Sequence, residues 1–275
     1  HACSLPNLTA IVPRQCPAIP SPAPGGATDP SFAPAEAIAL GRDPAAAGGA
    51  VLFDAGALVA SRGPTGTTLL GEGDAPAIAE VSGHLVAAWR THGGVALARS
   101  TDRGASWSPP RSLGDDCGDC DAHPVLVSNG VVLYALDGGE AVGLRARASR
   151  DGGATFGSAV TVARGSAGGA AVDRAGGLHV VALVGGVHGA YGSAMQRIEY
   201  TPPGGDAHAV SLADEKLPTF FATPAIAVDD DRRRIWIAYV RGGRDATWDL
   251  VIAASRDGGA TWTRTALGDG CALRA

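Results

Sequence analysis

One eight-residue pattern, S-x-D-x-G-x-[ST]-[WF], occurs three times in this chain. The copies are Ser100-Thr-Asp102-Arg-Gly104-Ala-Ser-Trp107, Ser149-Arg-Asp151-Gly-Gly153-Ala-Thr-Phe156 and Ser255-Arg-Asp257-Gly-Gly259-Ala-Thr-Trp262. The aspartates stand 49 and then 106 residues apart, one and then two periods of about fifty residues. A repeat of that length in a strand-rich chain is a supersecondary unit copied and stacked, because one unit cannot bury its own apolar face. The residue types describe a turn. The Asp side chain folds back onto turn amides, the Gly takes a φ that other residues resist, and the aromatic packs between adjacent units. Asp102, Asp151 and Asp257 are therefore expected to be structural, as are Gly104, Gly153 and Gly259 and the aromatics Trp107, Phe156 and Trp262.

Around the pattern a longer grammar runs from residue 31 onward. Two apolar strands joined by a Gly/Asn/Asp turn are followed by a Gly-rich loop, a third strand ending in the S-x-D pattern, and a fourth opening with Trp or Phe. The first two strands align in five places: Ala50 to Ala60, Pro76 to Trp89, Pro124 to Tyr134, Ala170 to Val181 and Pro224 to Tyr239. With 40 glycines and 18 prolines in 275 residues, long helices are disfavoured and short strands with tight turns are favoured. Four-stranded units in five copies predict an all-β fold, a β-propeller. A fourth-strand signature also stands ahead of the first unit, in Phe32-Ala-Pro-Ala-Glu-Ala-Ile-Ala-Leu-Gly41. The stretch from Leu267 to Ala275 stops where Leu113-Gly-Asp-Asp-Cys117 runs on into Pro124. The expectation is five recognisable blades and a sixth that is incomplete here, with a closed five-bladed ring as the alternative. Residues 1–30 read as a Pro-rich extended leader and 31–275 as the propeller.

Charge and composition exclude two partner classes. The net charge is −5 and the longest basic run is Arg232-Arg233-Arg234, which is no nucleic-acid footprint. No stretch of 18 apolar residues is present to span a membrane. His1 in place of Met is read as a processed N-terminus. With a disulfide expected between Cys3 and Cys16, it points to a secreted or periplasmic protein. Cys271 is the odd cysteine.

The three segments match the Asp-box, or BNR repeat, and residues 31–270 resemble the sialidase-like superfamily of propellers. That resemblance implies Asp-boxes at the turns between third and fourth strands, on the face opposite the usual ligand site. For sialidases it further implies an arginine triad for a carboxylate, a Tyr nucleophile with Glu, an Asp acid/base and an aromatic-Arg-apolar-Pro motif. The nearest echo of that motif is Leu40-Gly41-Arg42-Asp43-Pro44, with Gly for the aromatic and Asp for the apolar residue. Glu199 and Tyr200 are neighbours, which on a strand face opposite ways and form no nucleophile pair.

Loops after second strands and before first strands supply the candidate ligand residues. They are Arg42, Arg62, Arg90, His92, Asp119, Asp121, His123, Glu140, His188, Tyr191, Arg241, Asp245 and Trp248. Arg62, Arg90 and Arg241 recur near second-strand ends; if they converge, their paired N–H donors suit a carboxylate. Cys117-x-x-Cys120 followed by His123 has zinc-like spacing, although in an exported protein a local Cys117–Cys120 disulfide is the simpler reading. An N-terminal His1 is a copper-chelating possibility. No cofactor is otherwise implied.

The reading taken is an exported scaffold that recognises a glycan or protein ligand at the channel mouth. The alternatives are a sialidase-like hydrolase of acidic glycans, which needs two carboxylates across the channel, and a copper- or zinc-binding propeller.

Overall fold

The structure, a computed structural model, describes residues 42–114, 123–139, 142–165, 167–185, 196–211, 217, 223–242 and 248–267. The chain divides into His1–Glu36, which lies outside the described residues, and Ala37–Ala275, which carries every described strand. The leader and the Phe32–Gly41 signature are therefore not described.

Five four-stranded antiparallel sheets follow one another along the chain. Sheet A holds β1 (Arg42–Ala47), β2 (Ala50–Asp54), β3 (Leu58–Gly63) and β4 (Gly66–Glu72). Sheet B holds β5 (Asp74–Val81), β6 (His84–Thr91), β7 (Gly94–Ser100) and β8 (Arg111–Ser112). Sheet C holds β9 (Val125–Ser128), β10 (Leu133–Gly139), β11 (Gly143–Ser149) and β12 (Val160–Ala163). Sheet D holds β13 (Ala167–Val172), β14 (Leu178–Val184), β15 (Arg197–Thr201) and β16 (His208–Ala209). Sheet E holds β17 (Ala225–Asp229), β18 (Arg234–Gly242), β19 (Trp248–Ser255) and β20 (Thr263–Leu267). Each sheet is a meander. The first strands lie side by side, β1 against β5, β5 against β9, β9 against β13 and β13 against β17. This is the predicted β-propeller.

The core lies between blades. β6 shows why: Leu85, Ala87 and Trp89 enter the cluster shared with sheet A, while Val86 and Ala88 enter the cluster shared with sheet C. A strand buried on both faces must be apolar at both alternating sets of positions. Two further clusters join C to D and D to E. Among the described residues, no cluster joins E back to A, and β17 does not pack beside β1.

A meander of four strands starts and finishes at the same end. The turns between strands one and two and between three and four thus share one end, called here the motif end. The loops between strands two and three, and from one blade to the next, share the other, the mouth end.

All three S-x-D segments form the same turn at the motif end. Ser100 Oγ donates to Asp102 Oδ1 at 2.8 Å and accepts from Gly104 N at 2.7 Å. Asp102 also accepts from Ser106 N at 2.8 Å and from Ser106 Oγ at 2.5 Å. The Ser149–Asp151–Thr155 and Ser255–Asp257–Thr261 sets repeat these bonds. Each aromatic packs against the seam with the preceding blade: Trp107 on A/B, Phe156 on B/C and Trp262 on D/E.

Two strand assignments differ from the sequence reading. The hairpin from Ala50 to Ala60 is β2–β3, because Arg42–Ala47 forms a strand ahead of it despite an alanine-rich sequence of low β-propensity. After Trp107 the fourth strand makes one rung, Ser108 N to Arg99 O at 2.8 Å. It resumes at β8 past Pro109 and Pro110, and sheet C repeats this gap without prolines, with Gly157 N reaching Ala148 O at 2.9 Å before β12 begins at Val160.

Candidate functional site

At the mouth end, the first residue of an inner strand faces the last residues of the second strand. In sheet A, Arg42 opens β1 and Asp54 closes β2; they are cross-strand partners 3.3 Å apart. Sheet B repeats the arrangement with charges exchanged. Asp74 opens β5, Arg90 lies near the end of β6, and the carboxylate accepts from Arg90 Nε at 2.7 Å and Nη2 at 2.8 Å.

Both inner strands start with the same backbone device. Arg42 and Asp74 are each followed by a left-handed non-glycine residue, Asp43 and Ala75, both at φ +49°, and then by proline. The ladder register shifts between Arg42 and Ala45 and between Asp74 and Ala77. A bulge of this kind re-aims the side chain ahead of it. Gly73 has φ +143°, and a Cβ there would collide with the Arg90 carbonyl, so the turn into β5 requires glycine.

In sheets C and E the ion pair moves to strands two and three. Asp137 faces Arg145 at 3.0 Å, and Arg241 faces Asp249 at 3.5 Å. Asp137 also accepts from Arg147 Nη1 at 2.6 Å. Asp137 is 3% and Arg147 4% exposed, so two guanidiniums share one carboxylate inside the protein. Gly114 caps the triad, since a Cβ there would stand 3.1 Å from Arg147 Nε. In sheet D, Arg197 pairs with Glu199 along β15.

The hydrogen bonds from Arg90 hold the Asp74 carboxyl below the usual carboxylate range, against the opposing effect of partial burial. The charges of Arg90, His123 and Arg42 pull the same way. A carboxylate kept ionised in a bidentate pair is a poor proton donor at neutral pH, while the arginine edges around it are preoriented donors.

Of the sequence candidates, Arg42, Arg90, His92, His123 and Arg241 stand at the mouth end. Arg62 does not. It lies near the end of β3, a third strand, at the motif end, where it hydrogen-bonds Thr67 at 3.4 Å. This follows from the extra strand β1, which makes Leu58–Gly63 the third strand of its blade. Trp248 opens β19 opposite Gly242. Asp119, Asp121, Glu140, His188, Tyr191 and Asp245 lie outside the described residues, as do His1 and Cys3, Cys16, Cys117, Cys120 and Cys271. Among the described residues, no group of three or more His, Cys, Asp or Glu is placed to hold a metal.

Glu199 and Tyr200 point apart. Tyr200 is fully buried, its hydroxyl 2.7 Å from His179 Nδ1, with Asp173 3.4 Å from the other ring nitrogen. Burial, then the Asp173 charge, pushes the phenol up to about 12. Sequence reasoning missed Asp54, Asp74, Asp249, Arg145 and Arg147 as site residues. The available signal was an acid and a base at opposite positions of a hairpin, and Arg145-Ala-Arg147 with both arginines on one strand face.

No protein-family model matches the chain, and no curated protein matches it. Solved structures do. The PL25 ulvan lyase, a polysaccharide lyase, superposes with a TM-score of 0.52 at 14% identity, over 78% of this chain and 66% of the lyase. An endo-arabinase from Bacteroides thetaiotaomicron gives 0.46 at 12% identity, over 68% of this chain and 78% of the arabinase. A variant of the NanB sialidase from Streptococcus pneumoniae gives 0.44 at 14% identity, over 66% of this chain and 32% of the sialidase. At these identities the similarity concerns the fold, and by fold the chain is a β-propeller.

Proposed function

We propose that the protein is an exported recognition propeller that binds an acidic glycan at its mouth end, opposite three Asp-boxes. The observation that carries this reading is the pair of ion pairs on neighbouring blades at the mouth end, Arg90 bidentate on Asp74 and Arg42 on Asp54, which hold two guanidiniums there. Ion pairs hold the guanidiniums before any ligand arrives, which lowers the ordering cost of binding. Arg42 is 76% exposed and has N–H groups to spare for a ligand carboxylate or hydroxyl. A polysaccharide lyase among the structures of similar fold supports a glycan as the ligand.

The test is calorimetric titration with a hexuronate trisaccharide and its neutral counterpart. The acidic sugar is expected to bind, the neutral one much more weakly, and Arg42→Ala to weaken binding by about tenfold, the worth of one charge-assisted contact. Unchanged affinity in Arg42→Ala overturns the reading.

A second reading is glycan cleavage at the same place. Asp54 and Asp74 lie at the mouth end of adjacent blades, each paired with an arginine. Release of new reducing ends from the bound saccharide, abolished by Asp54→Asn, would establish it in place of simple recognition.

A further inference from the structure

We propose that the seam between sheets B and C at the motif end is a second binding site, for a sulfated sugar. A cavity of about 490 Å³ opens there, within the size range of small-molecule sites. Its wall includes Arg99, Arg111 and Trp107 from sheet B, the hydroxyl residues Thr101 and Ser106, and Gly153 from sheet C.

The two arginines are anchored and still hold donors in reserve. Arg99 Nε donates to Gly152 O at 2.7 Å and Arg111 Nη2 donates to Gly153 O at 2.9 Å. Adjacent carbonyls hold both, so the two guanidiniums are neighbours. Neither has a carboxylate within ion-pair distance among the described residues, in contrast to Arg42, Arg90, Arg145, Arg147, Arg197 and Arg241 at the mouth end. Each fork therefore keeps several N–H groups for an anion.

The repeat supplies an internal comparison. The residue before the motif serine is Arg99 in the first copy but Ala148 and Ala254 in the others. Four residues after the aromatic stands Arg111, against Val160 and Ala266. The turn folds with the same bonds in all three copies, so it does not need these arginines. The first copy also carries Arg103 at φ +58°, where the others have Gly152 and Gly258 at +69° and +76°. A non-glycine residue held in a left-handed conformation is a cost that the turn itself does not require.

Two guanidinium forks suit a tetrahedral oxyanion, whose three terminal oxygens can meet donors that arrive from different directions. Trp107 and Pro109 add apolar surface to the wall for a sugar ring, and the Thr101 hydroxyl serves a sugar oxygen. The ligand class is a sugar bearing a sulfate ester. The site is separate from the mouth end and stands whether or not that reading holds.

Titration of the whole chain with galactose 6-sulfate, which carries no carboxylate, and with unsulfated galactose tests it. Binding of the sulfated sugar is expected to weaken as salt rises, and to be absent for the unsulfated one. Arg99→Gln combined with Arg111→Gln should lower affinity by about tenfold or more. Ala154→Asp, on the exposed rim, should do the same while leaving the guanidinium–carbonyl bonds in place. The titrations are repeated in the Arg42→Ala background, where the mouth end contributes less and the loss on Arg99→Gln combined with Arg111→Gln should persist. Equal binding of the unsulfated sugar overturns the proposal, as does wild-type affinity in both the double variant and Ala154→Asp. Tighter binding of a hexa-aspartate peptide or of a phosphate monoester also overturns it.

Discussion

Asp74 and Arg90 are joined by two parallel hydrogen bonds, Oδ1 to Nε at 2.7 Å and Oδ2 to Nη2 at 2.8 Å. The pair is the charge-reversed counterpart of Arg42 and Asp54 one blade earlier. With side chains 43% and 28% exposed, it is screened by solvent and contributes on the order of 0.5–1 kcal/mol. Its larger effect is geometric, because it fixes a guanidinium edge at the mouth.

The Asp74 carboxyl is depressed below its value of 3.8, so the folded state favours the ionised form. The stability this gives is fully present above the unfolded-state value and is lost as pH falls through the lower folded value. Asp74→Asn should cost about 0.5–1 kcal/mol at neutral pH. The gap from wild type should close under acid conditions. Urea unfolding at both pH values checks this; a gap that widens in acid contradicts it.

Asp137→Asn should be far more damaging. It leaves Arg147, 4% exposed, and Arg145 without their shared counter-charge, at a cost of about 3–5 kcal/mol. Chemical denaturation measures the loss, and a change under about 1 kcal/mol would mean that another group neutralises the arginines.

Gly259 and Gly56 share φ +99° but differ in surroundings. A Cβ on Gly259 overlaps the Tyr200 ring, itself packed edge-on against Trp262 with centroids 5.5 Å apart. A Cβ on Gly56 meets nothing within 4 Å. Gly56→Ala should cost about 1 kcal/mol from backbone strain alone, and Gly259→Ala about 3 kcal/mol or more. Equal thermal shifts in the two variants would contradict the packing at the D/E seam.

The motif aspartates should titrate as acids of unusual strength. Hydrogen bonds from the Ser106 side chain and backbone lower Asp102 to about 2, and those from Thr261 lower Asp257 to about 2. Ser106→Ala should raise the Asp102 midpoint toward 3.8, as read from carboxyl carbon shifts by NMR, with Asp257 unmoved. The stabilising effect of these groups is lost only as pH falls from about 3.8 through about 2.

The propeller was legible because S-x-D-x-G-x-[ST]-[WF] specifies a turn through local bonds alone, and three copies carry the blade period. Mouth-end arginines were legible where the repeat placed them after a second strand, as for Arg90 and Arg241. Arg62 was misplaced because Arg42–Ala47 has no strand-like alternation and takes its conformation from pairing with β2. The acids opposite the arginines stayed hidden for a related reason. Asp74 precedes a bulge and Asp249 opens a third strand, so their partners depend on register, which a single strand's sequence does not encode.

Calorimetric titration of a hexuronate trisaccharide into wild type, Arg42→Ala and Arg99→Gln/Arg111→Gln tests the central claim, an anionic-glycan site at the mouth end. The expected result is binding by wild type, about tenfold weaker binding by Arg42→Ala, and an unchanged mouth-end affinity in the double variant. Binding that is indifferent to Arg42 contradicts the claim.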